Sequence, residues 1–315
     1  MTDFAYTGPR RKLTKIPLRL LLVIILLVVI VRFAIAVVGS RGIVSPIPKD
    51  GILIPLVNKL PVLAKKRDPE ALKQAVISIV GDFSDNYSVL VKDYNSNLIV
   101  AIDDTIIYEA ASVNKVPILA ALYHKIQNGE VNPDRVITMQ QADIQKYGTG
   151  SMRYDPPGTT YSIKTMARLM IKQSDNTAAY IIANHIVGLK TIQNLIEGWG
   201  LTQTDMIKNN TSNKDMAILF EKLLNGRIVN PALTDELRSL LSDSDFENRL
   251  PALLPEEATV YHKIGTEVGV LHDVGVVATS QKTYYIGVMI GDVTDEKKAE
   301  EMIANISKAV YDFMQ

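Results

Sequence analysis

Residues 259–290 read TVYHKIGTEVGVLHDVGVVATSQKTYYIGVMI. Three runs within them, 259–264, 273–280 and 283–290, are rich in Val, Ile, Tyr and Thr, and short polar or glycine-containing segments separate them, as expected of neighbouring strands. Residues 295–314 follow with helical periodicity. Toward the N-terminus, apolar spacing at 113–127, 163–173, 177–187, 190–198, 213–224 and 231–241 predicts six helices. Further back, Tyr87–Tyr94 and Leu98–Ile102 flank Asn95-Ser96-Asn97 as a hairpin with a short turn. Asp68-Pro69-Glu70 supplies an N-cap, a proline in the first turn and an acidic start for a helix that runs through Val80. Strands at both ends with helices between them imply an α+β domain. Its antiparallel sheet is built from both ends, and a helical subdomain is inserted in the middle.

Ahead of this domain the chain changes character. From Leu20 to Val38 there are 19 residues with a single charge, Arg32, and 16 of them are Leu, Ile, Val or Phe. As a helix this run spans about 28 Å, close to the hydrocarbon thickness of a bilayer. Its apolar residues contribute roughly −5 to −9 kcal/mol to insertion, against a cost of about 3 kcal/mol for Arg32. Residues 1–19 hold a net charge of +4, which orients that end toward the cytoplasm and the remainder outside. Ala34-Ile35-Ala36 has the form of a signal-peptide cleavage site, but Val37 and Val38 continue the apolar run, so an uncleaved signal anchor is expected. Residues 39–67, with four prolines and three glycines, read as a tether. The expected organisation is therefore a cytoplasmic segment 1–19, a transmembrane anchor 20–38, a tether 39–67 and a folded domain 68–315. The location that follows is the plasma membrane, single-pass, with the domain extracytoplasmic.

The whole chain has 34 Lys+Arg against 34 Asp+Glu and no Cys. The charge balance argues against a nucleic-acid partner. The missing cysteine excludes disulfides, thiolate metal sites and a cysteine nucleophile. His124, His185, His262 and His272 lack paired metal-ligand spacing and read as structural or solvated, with His272 close enough to a motif to line a site.

Three short motifs carry chemistry. Ser112-Val113-Asn114-Lys115 opens an apolar helix, and three-residue spacing puts the Ser hydroxyl and the Lys amine on one face. A partly desolvated lysine can take the proton that makes a serine nucleophilic, and the helix start offers free N–H groups to a developing oxyanion. Ser174-Asp175-Asn176 lies between two predicted helices, where its residues are also good caps. Lys263-Ile264-Gly265-Thr266 ends a predicted strand, and Gly265 permits close backbone approach.

In this order the motifs resemble the serine β-lactamase and penicillin-binding-protein family, specifically its class A branch. The resemblance covers roughly residues 68–315 and extends to Tyr154-Asp155-Pro156-Pro157-Gly158, Thr211-Ser212 and Asp273-Val274-Gly275. It implies an acylated Ser112, Lys115 as its proton acceptor, and Ser174 as a proton shuttle to the leaving nitrogen. Lys263 then holds Ser174 and the substrate carboxylate, Asn176 meets the substrate side-chain amide, and Thr266 meets the carboxylate. The backbone N–H groups of Ser112 and Thr266 are the implied oxyanion hole. The resemblance implies a monomeric catalytic domain without metal or cofactor, acting on β-lactams or D-Ala-D-Ala-type peptides of peptidoglycan. The alternatives are a DD-peptidase or penicillin-binding protein with slow deacylation, and a non-catalytic cell-wall sensor.

Two departures stand out. Ile264 replaces the usual Thr or Ser, and no E-x-x-L-N motif lies between Ser174 and Thr211. Glu197 and Asp205 are the only acids there beyond Asp175, which leaves Asp205 as the candidate for an unfamiliar deacylation base. Tyr147 and Tyr154 read as packing on the helical subdomain, with the cleft edge as the alternative, Gly148-Thr149-Gly150-Ser151 as a loop without phosphate-binding context, and the Glu/Lys cluster at 296–301 as a solvated helix face.

Overall fold

The computed structural model describes residues 67–315. In chain order the elements are α1 (Pro69–Val80), β1 (Tyr87–Asp93), β2 (Ile99–Ile102), β3 (Ile107–Glu109), a 3₁₀ turn (Ala111–Asn114), α2 (Lys115–Gln127), β4 (Val136–Thr138), β5 (Thr160–Ser162), α3 (Ile163–Lys172), α4 (Asn176–Ile181) and α5 (Leu189–Gly198). They continue with β6 (Asn210–Ser212), α6 (Asn213–Leu224), α7 (Pro231–Leu241), β7 (Thr259–Glu267), β8 (Val270–Ala278), β9 (Thr283–Ile290) and α8 (Glu296–Met314). Short polar side chains start most of the helices. Asp68, Ser162, Asp175, Ser212, Asn230 and Asp295 each accept a hydrogen bond from a first-turn N–H, which satisfies donors the helix cannot pair itself.

The main sheet has the order β2-β1-β9-β8-β7 and is antiparallel throughout. Its strands alternate between two cores. Val89 and Val91 of β1, with Ile286 and Val288 of β9, face α1 and α8 through Val76, Ile303 and Ile306. Leu90, Val274, Val276 and Tyr285 face the helical subdomain, where Leu119, Met170 and Phe220 fill the second core. Burial on both faces explains why these strands read as continuous apolar runs. The architecture is α+β, with the sheet drawn from both ends of the domain and the helices inserted between.

The structure refines several predicted boundaries. Helix 113–127 begins at Lys115, because the residues ahead of it form the 3₁₀ turn. Helix 177–187 is α-helical only to Ile181, continues as a π-turn over Ile182–Val187, and stops at Gly188 with φ of 90°. Strands β3 to β6, three residues each, are too short to show a period. The predicted anchor 20–38 lies outside the described residues. Among the described residues no helix is long and apolar enough to cross a membrane.

Two histidines fasten the sheet. His272 is fully buried. Its Nε2 lies 2.8 Å from the Glu109 carbonyl and its Nδ1 accepts from Ile290 N–H, and burial pushes its pKa down to about 4. It is therefore neutral and ties β3 to the sheet. His262 has the opposite fate. Burial disfavours its charge, but Asp273 at 2.8 Å and Glu247 at 3.4 Å outweigh that and raise its pKa to about 9. Stability from this pair is complete below the ordinary histidine pKa and is lost as pH rises through about 9. NMR titration of His262 is expected to give a midpoint near 9. In Asp273→Asn the midpoint is expected to fall below the ordinary value, with a loss of about 3 kcal/mol in denaturant stability at pH below 6, because the stability drawn from charging His262 beside Asp273 is gone.

Candidate active site

The three motifs converge on one cleft of about 570 Å³. Backbone geometry aims the first of them. Ala111 adopts φ of +47°, a left-handed conformation that costs a non-glycine residue about 1–3 kcal/mol, and Ser112 follows it in the 3₁₀ turn that leads into α2. Lys115, 5% exposed, places its Nζ 2.9 Å from Ser112 Oγ, 3.0 Å from Ser174 Oγ, 2.6 Å from Asn176 Oδ1 and 2.5 Å from the Ser174 carbonyl. Ser174 is itself left-handed, with φ of +53°, and sits at the turn from α3 into α4. Lys263, 2% exposed on β7, reaches the same hydroxyl at 3.0 Å. Ser174 Oγ is thus held between two amines, one from each side of the cleft.

Burial sets the charge of those amines. Desolvation lowers the Lys115 pKa to about 7, against the opposing pull of Asp175. An ordinary lysine at pH 7 is deprotonated in about one molecule in 2,500, whereas one with a pKa near 7 is deprotonated in about half. Lys263 is pushed well below the ordinary lysine range by desolvation and by Lys115. The site therefore holds an amine able to accept a proton from Ser112 at neutral pH.

Gly265 explains how β7 comes so close. A Cβ there would stand 2.8 Å from the Ala110 carbonyl and 3.0 Å from Val113 Cγ2, so only glycine lets the strand lie against the segment that carries Ser112. Thr266, next along β7, accepts a hydrogen bond from Arg249 at 2.7 Å. Asn176 has its Oδ1 on Lys115 and donates from Nδ2 to the Tyr147 carbonyl at 3.2 Å.

Several contributors escaped the sequence reading. Arg249, 3% exposed, donates to the Gly265 and His272 carbonyls and pairs with Glu300 at 3.2 Å. Nothing near it in the chain marks it. Asn209, with φ of +56°, lines the cleft and accepts from Asn114 Nδ2 at 2.8 Å. The Gly148–Ser151 loop, read as bland, is a cleft wall: Thr149 Oγ1 donates to the Ser174 carbonyl at 3.0 Å, and a Cβ on Gly150 would run into Asp175. The pair of glycines was the available signal. Tyr147 is 65% exposed and edges the cleft, the alternative reading, and Tyr154 is 76% exposed, so neither is packed into the helical subdomain. Glu296 and Glu300 line the cleft, so that side of the 296–301 cluster is not simply solvated. Asp205 is turned to its own loop, where Oδ1 accepts from the N–H groups of Ile207 and Lys208.

A model of the β-lactamase enzyme family matches residues 71–314. The chain belongs to this family. A β-lactamase of Bacteroides uniformis is 23% identical over 241 residues, which cover 68% of this chain and 81% of that relative. PBP-A is similar in structure with a TM-score of 0.71 and 29% identity, over 77% of this chain and 95% of its own. A PBP-A mutant, 28% identical with a TM-score of 0.71 over 77% and 96% of the two chains, was solved as an acyl-enzyme complex with penicillin G. Among the described residues of this β-lactamase-family chain, no cluster of His, Cys, Asp or Glu could hold a metal ion.

The amine at Lys115 is directly testable. Its titration, followed by NMR of labelled lysine or by the pH dependence of its chemical acylation, is expected to centre near pH 7. In Asp175→Asn it is expected to move lower, since that carboxylate is what raises it. A midpoint near 10 would contradict the burial argument.

Proposed function

We propose that this chain is a serine acyl hydrolase that captures β-lactams, or the D-Ala-D-Ala-type peptides they mimic, as an ester of Ser112. The observation that carries this reading is the cluster in which Lys115 contacts both Ser112 and Ser174 while Lys263 contacts Ser174. Lys115 takes the Ser112 proton as Oγ attacks the carbonyl, and Ser174 passes a proton to the leaving nitrogen as the C–N bond breaks. Lys263 and Thr266 receive the substrate carboxylate, Gly265 gives it room along β7, and Asn176 meets the side-chain amide. The N–H groups of Ser112 and Thr266 receive the oxyanion. The penicillin G acyl-enzyme of the PBP-A mutant supports the substrate class. Residues 20–38 fit an export signal and anchor that hold this domain outside the plasma membrane.

A specific observation favours slow release of the acyl group, as in a penicillin-binding enzyme. The carboxylates that line the cleft are Glu267, Glu296 and Glu300, all toward the Thr266 end, and Glu300 is bound to Arg249. Asp205, the one acid of the 205–209 segment, is half-buried and engaged with its own loop.

Incubation of the full chain with a fluorescent penicillin is expected to give a one-to-one adduct that mass spectrometry locates on Ser112 and that Ser112→Ala abolishes. The acylation rate is expected to rise about tenfold per pH unit below about 7 and to level off above it, as Lys115 loses its proton. Replacing Asp205→Asn is expected to change adduct lifetime less than twofold. No adduct, or one that survives Ser112→Ala, refutes the assigned nucleophile.

A further inference from the structure

Beyond the catalytic cluster the cleft continues along two helices, and its character changes from polar to apolar. On α2, Ile118 stands one turn after Lys115 and borders the cleft with 7% of its surface exposed. On α4 and the π-turn that extends it, Ala179 and Ala183 follow Asn176 on the helix face that carries it. They border the cleft too, 8% and 4% exposed, and Leu189 and Met206 complete an apolar recess. Because all five residues line the cavity that holds Ser112, the recess is open to whatever Ser112 binds. The two alanines leave its space unfilled. Charge is unwelcome there. The acids of the cleft, Glu267, Glu296 and Glu300, lie toward its Thr266 end, so an ammonium in the recess would meet Lys115 and no counter-ion. A carboxylate would stabilise the charged form of Lys115 and remove the neutral amine that serves as base. An apolar group does neither and is stabilised by leaving water.

We propose that this recess is a specificity pocket: it receives an uncharged, apolar side chain carried by the acyl half of the substrate, beyond the amide that Asn176 meets. The proposal rests on the Ser112 ester reading above and adds which acyl donors are captured fastest, namely those bearing an aryl or branched alkyl group. Burial of that group holds the carbonyl against Ser112 before the bond forms. The preference is therefore read in the second-order rate constant of acylation.

The probes are penicillins that differ only in the acyl side chain, each competing with a fluorescent penicillin for Ser112 on the full chain. Phenylacetyl penicillin is expected to acylate at least about tenfold faster than acetyl penicillin. Ala183→Leu fills the recess and is expected to cut that ratio by about fivefold or more. Met206→Ala widens the recess instead and asks for no extra room, so it guards against a filled variant that fails to fold. In it, naphthylacetyl penicillin is expected to improve at least about threefold relative to phenylacetyl penicillin. A native phenylacetyl-to-acetyl ratio below about threefold, or side-chain preferences that neither variant changes, overturns the pocket and leaves the Ser112 ester standing. Failure of the native chain to form an adduct with any of these penicillins overturns the ester itself, and the pocket with it.

Discussion

A lysine amine enclosed by protein is the constraint that the rest of the cleft answers to. Shifting Lys115 from the ordinary lysine pKa to about 7 corresponds to roughly 5 kcal/mol against its charged form. The amine is tolerated because four oxygens meet it, and three of them come from Ser174 and Asn176. The turn from α3 into α4 must therefore arrive within 3 Å of a side chain 59 residues earlier. That requirement accounts for the left-handed Ser174, the Asp175 cap and the glycines of the 148–150 loop that presses on them.

Strain is spread around the same centre. Ala111, Ser174 and Asn209 each sit in the left-handed region, and together they cost about 3–9 kcal/mol, which is comparable to the whole net stability of a domain. Such a site persists only if the scaffold over-determines it. The sheet does this with a core on each face, and His272 and Arg249 carry the restraint up to the segment that holds Ser112. His272 serves as a neutral strut and Arg249 as a charged one. Only the second needs a counter-charge, which Glu300 provides.

How much of this was legible in the sequence follows from the range of each interaction. Strands buried on both faces and helices with capping residues announce themselves locally, so the α+β order and most element bounds could be read. Ser112 and Lys115 share one turn, so their contact was also readable from spacing. The meeting of Ser174 with Lys263, 89 residues apart, is not encoded in any local period; only the order of motifs suggested it. Asn209 and Arg249 had neither period nor motif, and their roles depend on contacts 95 and 51 residues away. The short strands and the change from α to π geometry at Ile182 were invisible for a related reason, since tertiary packing decides them.

The Asn114–Asn209 pair and the enclosed lysine are linked electrostatically. A carboxylate about 6 Å from Lys115, at an effective dielectric constant of about 20, would stabilise the ammonium by roughly 2.8 kcal/mol and leave about a hundredfold less neutral amine. Asp175 already exerts that pull, and desolvation of the amine outweighs it. A second acid on the 206–209 wall would add to that pull and favour the charged amine, unless further burial compensated. Carboxamides avoid the conflict. They offer a donor and an acceptor at fixed positions and add no charge to the surroundings of Lys115.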